Sequence, residues 1–303
     1  MQLRFSPTQP AALTWKEFSR LCAKFMRLYA RLGGTGGGIP ALPCHDFANP
    51  ELDMALGVFI SIVGDTLGDS LRSVILYGSV AFGDLAPGYG DLDFVAITDN
   101  DIAHDRGEAL IQARRPLRSG LYGVYAHMIE GAFLPRHMTC PASAGRAVWW
   151  GTSGERLWET NWLGWFDCLG IRERGMVIHG EDLRCEFLAP AREQLAAQAD
   201  RFVGTARRHG RGGELHSVDW LLTAARMLYW LKEGELASKS HAADWAYANA
   251  TGDWRAHLPK AAWLRRNPDQ AQSGDVIAWL GTLDAPIQEA CCEVEAELWK
   301  TGI

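Results

Sequence analysis

The pattern of apolar and polar positions changes about two thirds of the way along the chain. Before residue 189, short apolar runs bounded by turn residues predict strands around residues 74–77, 91–97, 125–133 and 176–180. Apolar residues at helical spacing predict helices over residues 50–67, 105–115 and 166–174. From residue 190 onward, every periodic segment has helical spacing. The pattern therefore predicts an α+β fold, in which a mixed sheet flanked by helices is followed by an α-helical bundle.

The first 40 residues form a separate region of the pattern. Residues 13–32 have helical periodicity, and the five glycines within residues 33–38 then break it. The chain therefore divides into an N-terminal helical extension with a Gly-rich linker (1–40), a sheet-containing domain (41–189) and a helical domain (190–303).

Composition narrows the classes of function. The chain has 303 residues, 48% hydrophobic and 22% charged, with a net charge of −6. A nucleic-acid binder normally carries a basic surface, so we expect no nucleic-acid partner. No run approaches the ~18 apolar residues of a membrane span, the start lacks a secretion signal, and the seven cysteines are scattered as in reduced proteins. We expect a cytoplasmic protein with no membrane partner.

One segment carries most of the chemistry. Apolar residues 74–77 lead into Gly78 and Ser79, a Gly/Pro-rich loop follows, and a second apolar run carries Asp91 and Asp93. Glycine allows a sharp turn and close approach to a ligand, and free N–H groups after such a turn can hold phosphate. Asp91 and Asp93 share one face of the strand, because side chains two apart point the same way.

Two neighbouring carboxylates repel each other unless a cation lies between them. Mg²⁺ takes one or two carboxylates together with substrate phosphate oxygens. Asp91 and Asp93 therefore predict a magnesium site for phosphoryl or nucleotidyl transfer. The alternative is a β-hairpin with an exposed acidic face and no chemistry, and the Gly-Ser pair at a short distance before Asp-x-Asp favours the functional interpretation.

At these residues the chain resembles the DNA polymerase β-like nucleotidyltransferase superfamily, whose signature is Gly-Ser followed by Asp-x-Asp in the next strand. The resemblance implies that residues 41–189 form a nucleotidyltransferase domain, that Asp91 and Asp93 hold magnesium, and that Gly78 and Ser79 bind the nucleotide. Glu130 is similar to the glutamate that acts as general base in the antibiotic adenylyltransferases. Its structural alternative is a strand glutamate that faces water.

A second resemblance lies in residues 221–246, which end in Ala-Ala-Asp-Trp-Ala. This segment is similar to the C-terminal helical domain of the streptomycin/spectinomycin adenylyltransferases. The resemblance implies that Lys239 contacts the triphosphate of ATP, although an exposed lysine in a loop is usually only a solvated charge. Asp244 and Trp245 are interpreted as structural, because they have helical spacing and a carboxylate suits the first turns of a helix.

The resemblance implies an enzyme that moves AMP from ATP to a hydroxyl of a small, cationic acceptor, first of all an aminoglycoside antibiotic, with Mg²⁺ as cofactor. Alternatives are transfer to another small molecule or to a protein side chain, or a catalytically inactive nucleotide-binding module. The tryptophans crowded between Trp149 and Trp165 are either core residues or partners for a sugar ring or adenine. The resemblance implies an acceptor contact at either Trp149 or Trp150.

Overall fold

The computed structural model describes residues 47–300. A six-stranded sheet has the order β5-β4-β3-β2-β1-β6. Its strands are β1 (Leu71–Leu76), β2 (Leu92–Thr98), β3 (Ile129–Pro135), β4 (Ala144–Gly151), β5 (Gly154–Thr160) and β6 (Met176–Gly180). β2 and β3 run parallel, and the other neighbouring pairs are antiparallel. The predicted mixed sheet is confirmed, and the predictions for residues 1–40 lie outside the described residues.

Helices flank this sheet and then form the rest of the chain. The helices within the sheet-containing part are α1 (Pro50–Leu67), α2 (His104–Arg118), α3 (Gly123–His127) and α4 (Trp165–Arg174). The later ones are α5 (Arg192–His209), α6 (Val218–Glu233), α7 (Lys239–Asn249), α8 (Leu258–Arg266), α9 (Gly274–Leu280) and α10 (Asp284–Lys300). The last strand thus ends at Gly180 and the bundle begins at Arg192, so the domain boundary near residue 189 stays a prediction within a short connecting segment.

Helix α1 begins where its sequence provides an N-cap. The side chain of Asn49 accepts a hydrogen bond from the N–H of Leu52 at 3.2 Å, and Pro50 occupies the first turn, where no N–H is needed. The buried face of α1 includes Leu56, Phe59 and Val63, none of which is exposed. This apolar face packs against one side of the sheet.

The sheet is buried on both faces. On the α1 side, Phe59 packs with the sheet residues Phe94 and Trp150, and both of these pack with Phe133; the ring centroids are 4.7 to 6.0 Å apart. Leu92 and Phe94 are fully buried, as the strand alternation predicted. The opposite face carries a second apolar cluster of alternate strand residues that α4 covers. Residues 91, 93 and 130 lie at the end of the sheet, where the apolar clusters of both faces stop.

The helical part has a core of its own. Helix α6 is buried along most of its length, including Leu221 and Leu228, and α10 packs against both α5 and α6. Trp254, which is fully buried, closes this core near α8. No helix within residues 47–300 combines the length and the apolar character needed to span a lipid bilayer.

The structure corrects two parts of the predicted element pattern. The strand expected over 125–133 begins only at Ile129, because residues 123–127 form the short helix α3. Strands β4 and β5 were not predicted at all. Their tryptophans and charged residues do not alternate cleanly, since β5 is half-buried along nearly all of its length.

Candidate active site

The candidate residues meet at one end of the sheet. β1 ends near the starts of β2 and β3. Gly78, Asp93 and Glu130 therefore meet at the same end of the sheet, although they belong to different strands or loops. The N–H of Tyr77 donates to the carbonyl of Asp93 at 3.0 Å, and Asp93 lies opposite Glu130 in the parallel pair. The register of three strands thus sets the spacing of the carboxylates.

Gly78 is required by this arrangement for two reasons. Its φ is +66°, a conformation that side chains disfavour. A Cβ at this position would also lie 2.1 Å from Oδ2 of Asp93. The backbone of Gly78 therefore forms one wall of the Asp93 site, and Ser79 begins the tight turn that follows, with its hydroxyl 3.5 Å from the carbonyl oxygen of Asp91.

Within residues 47–300, the carboxylates of Asp91 and Asp93 have no compensating partner. Among residues 47–300, no side chain forms a hydrogen bond or an ion pair with either carboxylate. Loss of hydration, followed by the charge of Glu130, raises the pKa of Asp91 to about 6. Loss of hydration, then the charges of Asp91 and Asp167, raises the pKa of Asp93 well above its ordinary value. This end of the sheet is an unsatisfied negative region.

Glu130 has defined partners. Its Oε1 accepts from Nη2 of Arg114 at 3.1 Å, and its Oε2 accepts from the hydroxyl of Thr152 at 3.1 Å. Arg118 approaches the same carboxylate to 4.0 Å. The side chain is partly buried rather than water-facing, so its structural alternative as a solvent-facing strand residue is wrong. The contacts orient Glu130 towards the carboxylate region, where its charge acts on Asp91.

Arg114, which donates to Glu130 from α2, was not identified as a site residue from the sequence. Its side chain is only 1% exposed. Its guanidinium donates to the carbonyls of Ile129 at 2.9 Å and Gly151 at 2.8 Å, and it pairs with Glu155 at 3.1 Å. It thereby joins the start of β3 to the end of β4 and the start of β5. The available signal was its position four residues after buried Leu110, on the apolar face of α2.

Lys239 lies at the start of α7, where Ser238 caps the helix by accepting from the N–H of His241 at 3.0 Å. Its ammonium group contacts the carboxylate of Asp219. Its charge also acts on Asp91 and Asp93, where it lowers the pKa against the larger effect of lost hydration. The structure therefore brings Lys239 to the carboxylates from the helical part of the chain.

Asp219 gathers further polar groups at this junction. It accepts from the hydroxyl of Tyr89 at 2.7 Å, and its Oδ2 lies 3.1 Å from Nδ1 of His216. Burial by itself would raise the pKa of Asp219, but Lys239 and these hydrogen bonds outweigh burial and lower it. Tyr89 belongs to the loop between β1 and β2, residues 77–91, which carries Gly78, Ser79 and Asp91 and is called the motif loop below. The motif loop and the helical domain therefore share this network.

The crowded tryptophans divide into two groups. Trp150 is fully buried in the aromatic core, so the acceptor contact considered for it is wrong. Trp149 pairs with Ala132 in the neighbouring strand, which places it on the face that carries Glu130. Trp162 packs edge-on against Trp158 and Trp149, with centroids 4.3 and 6.5 Å apart, and is 57% exposed. An aromatic surface therefore lies on the same face as the candidate base.

A sheet end with an aspartate pair, a nearby glutamate and a lysine from the helical part of the chain is the arrangement that the sequence resemblance predicts for a nucleotidyltransferase. Comparison with known proteins agrees. Residues 194–277 match the family model described as "Aminoglycoside adenylyltransferase, C-terminal domain". The helical part of the chain therefore matches the C-terminal domain of the aminoglycoside adenylyltransferases, as the sequence resemblance predicted, and this match together with the shared fold supports an enzyme of the nucleotidyltransferase class.

A solved structure shares the fold. It is the spectinomycin adenyltransferase AAD(9) from Enterococcus faecialis, determined with ATP and spectinomycin. The TM-score is 0.53 at 15% sequence identity, and the match covers 77% of this chain and 98% of that one. No curated protein sequence matches the chain significantly. The resemblance to the family thus lies in the helical part of the chain, and the likeness to the solved structure supports the fold.

Proposed function

We propose that this enzyme transfers AMP from ATP, as its magnesium complex, to a hydroxyl group of a small cationic acceptor, with aminoglycosides as the first candidates. The observation that carries the proposal is the pair Asp91 and Asp93, whose carboxylates form no hydrogen bond or ion pair within residues 47–300 and lie within the influence of the charge of Lys239. The family of the helical domain supports the same reaction, and the related solved structure was determined with ATP and spectinomycin.

The donor set at the sheet end fits a magnesium ion. Asp91 and Asp93 provide hard oxygen ligands, and their pKa values are raised first by lost hydration and then by neighbouring carboxylate charges. Within residues 47–300, no group of three or more His, Cys, Asp or Glu side chains forms a complete metal site. A magnesium ion held by Asp91 and Asp93 would therefore need phosphate oxygens of the nucleotide as further ligands, because Mg²⁺ combines few protein ligands with substrate phosphates.

Three residues would bind the nucleotide. The backbone turn at Gly78 and Ser79 offers N–H groups and a hydroxyl close to Asp91, and Lys239 offers a point charge from the other domain. Lys239 contacts Asp219, so phosphate oxygens would compete with that carboxylate for the ammonium group. A bound metal would supply charge neutralisation for the phosphates.

Glu130 would act as the general base. Arg114 and Thr152 hold one carboxylate oxygen each, which leaves the remaining lone pairs to accept the proton of an acceptor hydroxyl. The hydroxyl oxygen of the acceptor attacks the α-phosphorus of ATP and forms the new P–O bond. The bond from the α-phosphorus to the bridging oxygen breaks, and pyrophosphate leaves with the electron pair. The proton ends on Glu130 and then passes to water.

The class of acceptor is inferred from charge and from the aromatic residues beside Glu130. The chain has a net charge of −6, and the candidate base stands among other carboxylates, which favours a cation. Trp149 and Trp162 would offer aromatic faces to a sugar ring or an ammonium group from the side of the sheet that carries Glu130.

The test is an adenylylation assay with labelled ATP, Mg²⁺ and a panel of aminoglycosides that includes streptomycin and spectinomycin. We expect pyrophosphate release that depends on both Mg²⁺ and an acceptor, with the label on the antibiotic. Release with a neutral polyol but no aminoglycoside would show another small-molecule acceptor, and label on protein would show a side-chain acceptor. MgATP binding without turnover on any acceptor would contradict the proposed reaction and leave a nucleotide-binding module.

A further inference from the structure

The loop between β1 and β2 belongs partly to the helical domain. Ala86 and Tyr89 from this loop are 1% and 9% exposed, and both pack into the apolar core of the helices. The hydroxyl of Tyr89 donates to Asp219 in α6. The loop that carries Ser79 is therefore also the contact through which the sheet and the bundle are held together.

Asp84, in the middle of this loop, is the most highly coordinated carboxylate at the contact. Its Oδ1 accepts from the hydroxyl of Ser240 at 2.6 Å, and its Oδ2 accepts from the N–H of Ser240 at 3.1 Å. Arg265 pairs with Oδ2 at 3.1 Å and also donates to the carbonyl of Asp84 at 2.6 Å. Arg266 lies 3.4 Å from Oδ1. The side chains of Asp84 and Arg265 are 7% and 3% exposed, so this is a buried ion pair between the loop and α8.

The same residue is fixed to Ser79 through the backbone. The N–H of Asp84 donates to the carbonyl of Ser79 at 2.9 Å, and the turn between them closes through Gly83 in the left-handed conformation, with φ +65°. Movement of Asp84 would therefore move Ser79.

On the other side, Asp84 is fixed to Lys239. Ser240, its hydrogen-bond partner, follows Lys239 directly in the first turn of α7. A carboxylate at a helix N-terminus accepts otherwise unpaired N–H groups and is favoured by the helix dipole. Asp84 thus determines where α7 begins relative to the motif loop, and with it the origin of the Lys239 side chain.

We infer that Asp84 is a positioning residue for nucleotide binding, which holds Ser79 and Lys239, on separate domains, at a fixed separation around the triphosphate. The inference rests on the proposed function, since it takes ATP as the ligand of these two residues. Asp84 itself does not touch the nucleotide. Its partners keep it ionised: burial alone would raise the pKa of Asp84, but Ser240 and Arg265 outweigh burial and lower it.

A double-mutant cycle tests the inference by measuring MgATP affinity calorimetrically without acceptor. Asp84→Asn keeps the shape of the side chain but removes its charge, and Lys239→Ala removes the proposed phosphate contact. We expect each single variant to weaken MgATP binding by about tenfold, as for the loss of one charge-assisted contact. The double variant should bind more weakly than Lys239→Ala alone but by less than the product of the two single losses, because Asp84 acts partly through Lys239 and partly through Ser79. In steady-state assays the same loss should fall on KM for ATP more than on kcat.

Glu293→Gln is the matched control. Glu293 is a carboxylate of the bundle that accepts from the N–H groups of Thr251 and Gly252 and from the indole of Trp254, at 2.8 to 3.1 Å. It does not contact the motif loop, so this variant should lower the melting temperature without changing MgATP affinity. If Asp84→Asn does not fold, Ser240→Ala replaces it in the cycle, because it removes one hydrogen bond and leaves the ion pair with Arg265.

Independent, additive losses from Asp84→Asn and Lys239→Ala would overturn the positioning role while leaving the proposed reaction intact. An affinity of Asp84→Asn equal to that of the unchanged protein would overturn it as well. A failure of the proposed function is distinguishable, because the unchanged protein would then bind no MgATP and release no pyrophosphate, and both proposals would fall together.

Discussion

Two sets of carboxylates lie in or next to the motif loop of this enzyme. They differ in whether the protein supplies them with hydrogen-bond donors and a positive partner. Asp84 has a donor on each carboxylate oxygen and a buried arginine beside it. Asp91 and Asp93 have neither within the described chain. Burial alone would raise the pKa of all three groups, yet that of Asp84 is lowered and those of Asp91 and Asp93 are raised. The partners decide the sign, so the fold satisfies one carboxylate itself and leaves the other two available for a ligand.

The sharpest way to break this comparison is Asp93→Asn. Turnover should fall by on the order of 10³-fold, because a neutral amide cannot hold the metal and phosphates in the transition state. The melting temperature of the ligand-free protein should stay equal or rise, since the change removes repulsion with Asp91. Steady-state kinetics and thermal unfolding measure the two effects. Near-full activity in this variant would show that the metal assignment is wrong.

Asp182→Asn provides the control for that variant. Asp182 pairs with Arg184 at 2.6 Å on an exposed surface, away from the sheet end. Its replacement should leave both turnover and MgATP affinity unchanged. A similar loss of activity in the control would indicate that any removed aspartate disturbs the enzyme.

Asp84→Ala should show the opposite pattern, a large loss of stability. The change leaves the buried guanidinium of Arg265 without its partner, and breaking a buried ion pair from one side costs about 3 kcal/mol or more. Denaturant unfolding measures the loss. The double variant Asp84→Ala with Arg265→Leu should recover part of it, because no uncompensated charge remains. Equal stability of Asp84→Ala and the unchanged protein would contradict the structural half of the comparison.

The sequence was sufficient for the part of the site that depends on local spacing. Gly78, Asp91 and Asp93 lie within sixteen residues, and alternation within one strand decides which face the aspartates share. The fold class could also be predicted, because short apolar runs and helical spacing are patterns that lie within a single strand or helix. Lys239 depended on family resemblance, since nothing local distinguishes a site lysine from a solvated one.

The remaining residues could not be found locally because their partners are distant. Asp84 meets Ser240 across 156 residues, and within its Gly/Pro-rich loop it looks like an ordinary turn aspartate. Arg114 meets Gly151 across 37 residues. Only the packing of the bundle on the loop, or of α2 on the sheet, decides that these charges are buried and paired. Trp149 and Trp150 were undecided for the same reason, because the pairing with β3 decides their faces.

Ser240→Ala sharpens the comparison at smaller amplitude. It removes one hydroxyl bond to Asp84 while the backbone bond and the ion pair remain. The free energy of unfolding should fall by about 1 kcal/mol, and MgATP affinity should fall less than in Asp84→Asn. Ser217→Ala is the control, since Ser217 is a similarly buried serine whose hydroxyl accepts from the N–H of Glu214 at 3.1 Å, outside the motif loop. The control should lose stability without losing MgATP affinity.

The smallest expected effect is the pH dependence of stability in the metal-free, nucleotide-free protein. The pKa of Asp91 is about 6 in the folded protein against 3.8 as its ordinary value, so the folded state binds more protons between these values. Stability should therefore rise as the pH is lowered from about 7.5 to about 5. The lowered pKa of Asp84 acts the other way, but its contribution is lost only below its ordinary value of 3.8.

Thermal unfolding of Asp91→Asn should show a flatter dependence of stability on pH over this window. Saturating MgATP should reverse the slope in the unchanged protein, because the metal competes with protons for the same oxygens. An unchanged slope in Asp91→Asn would mean that the unpaired carboxylates are not the groups that oppose folding at neutral pH.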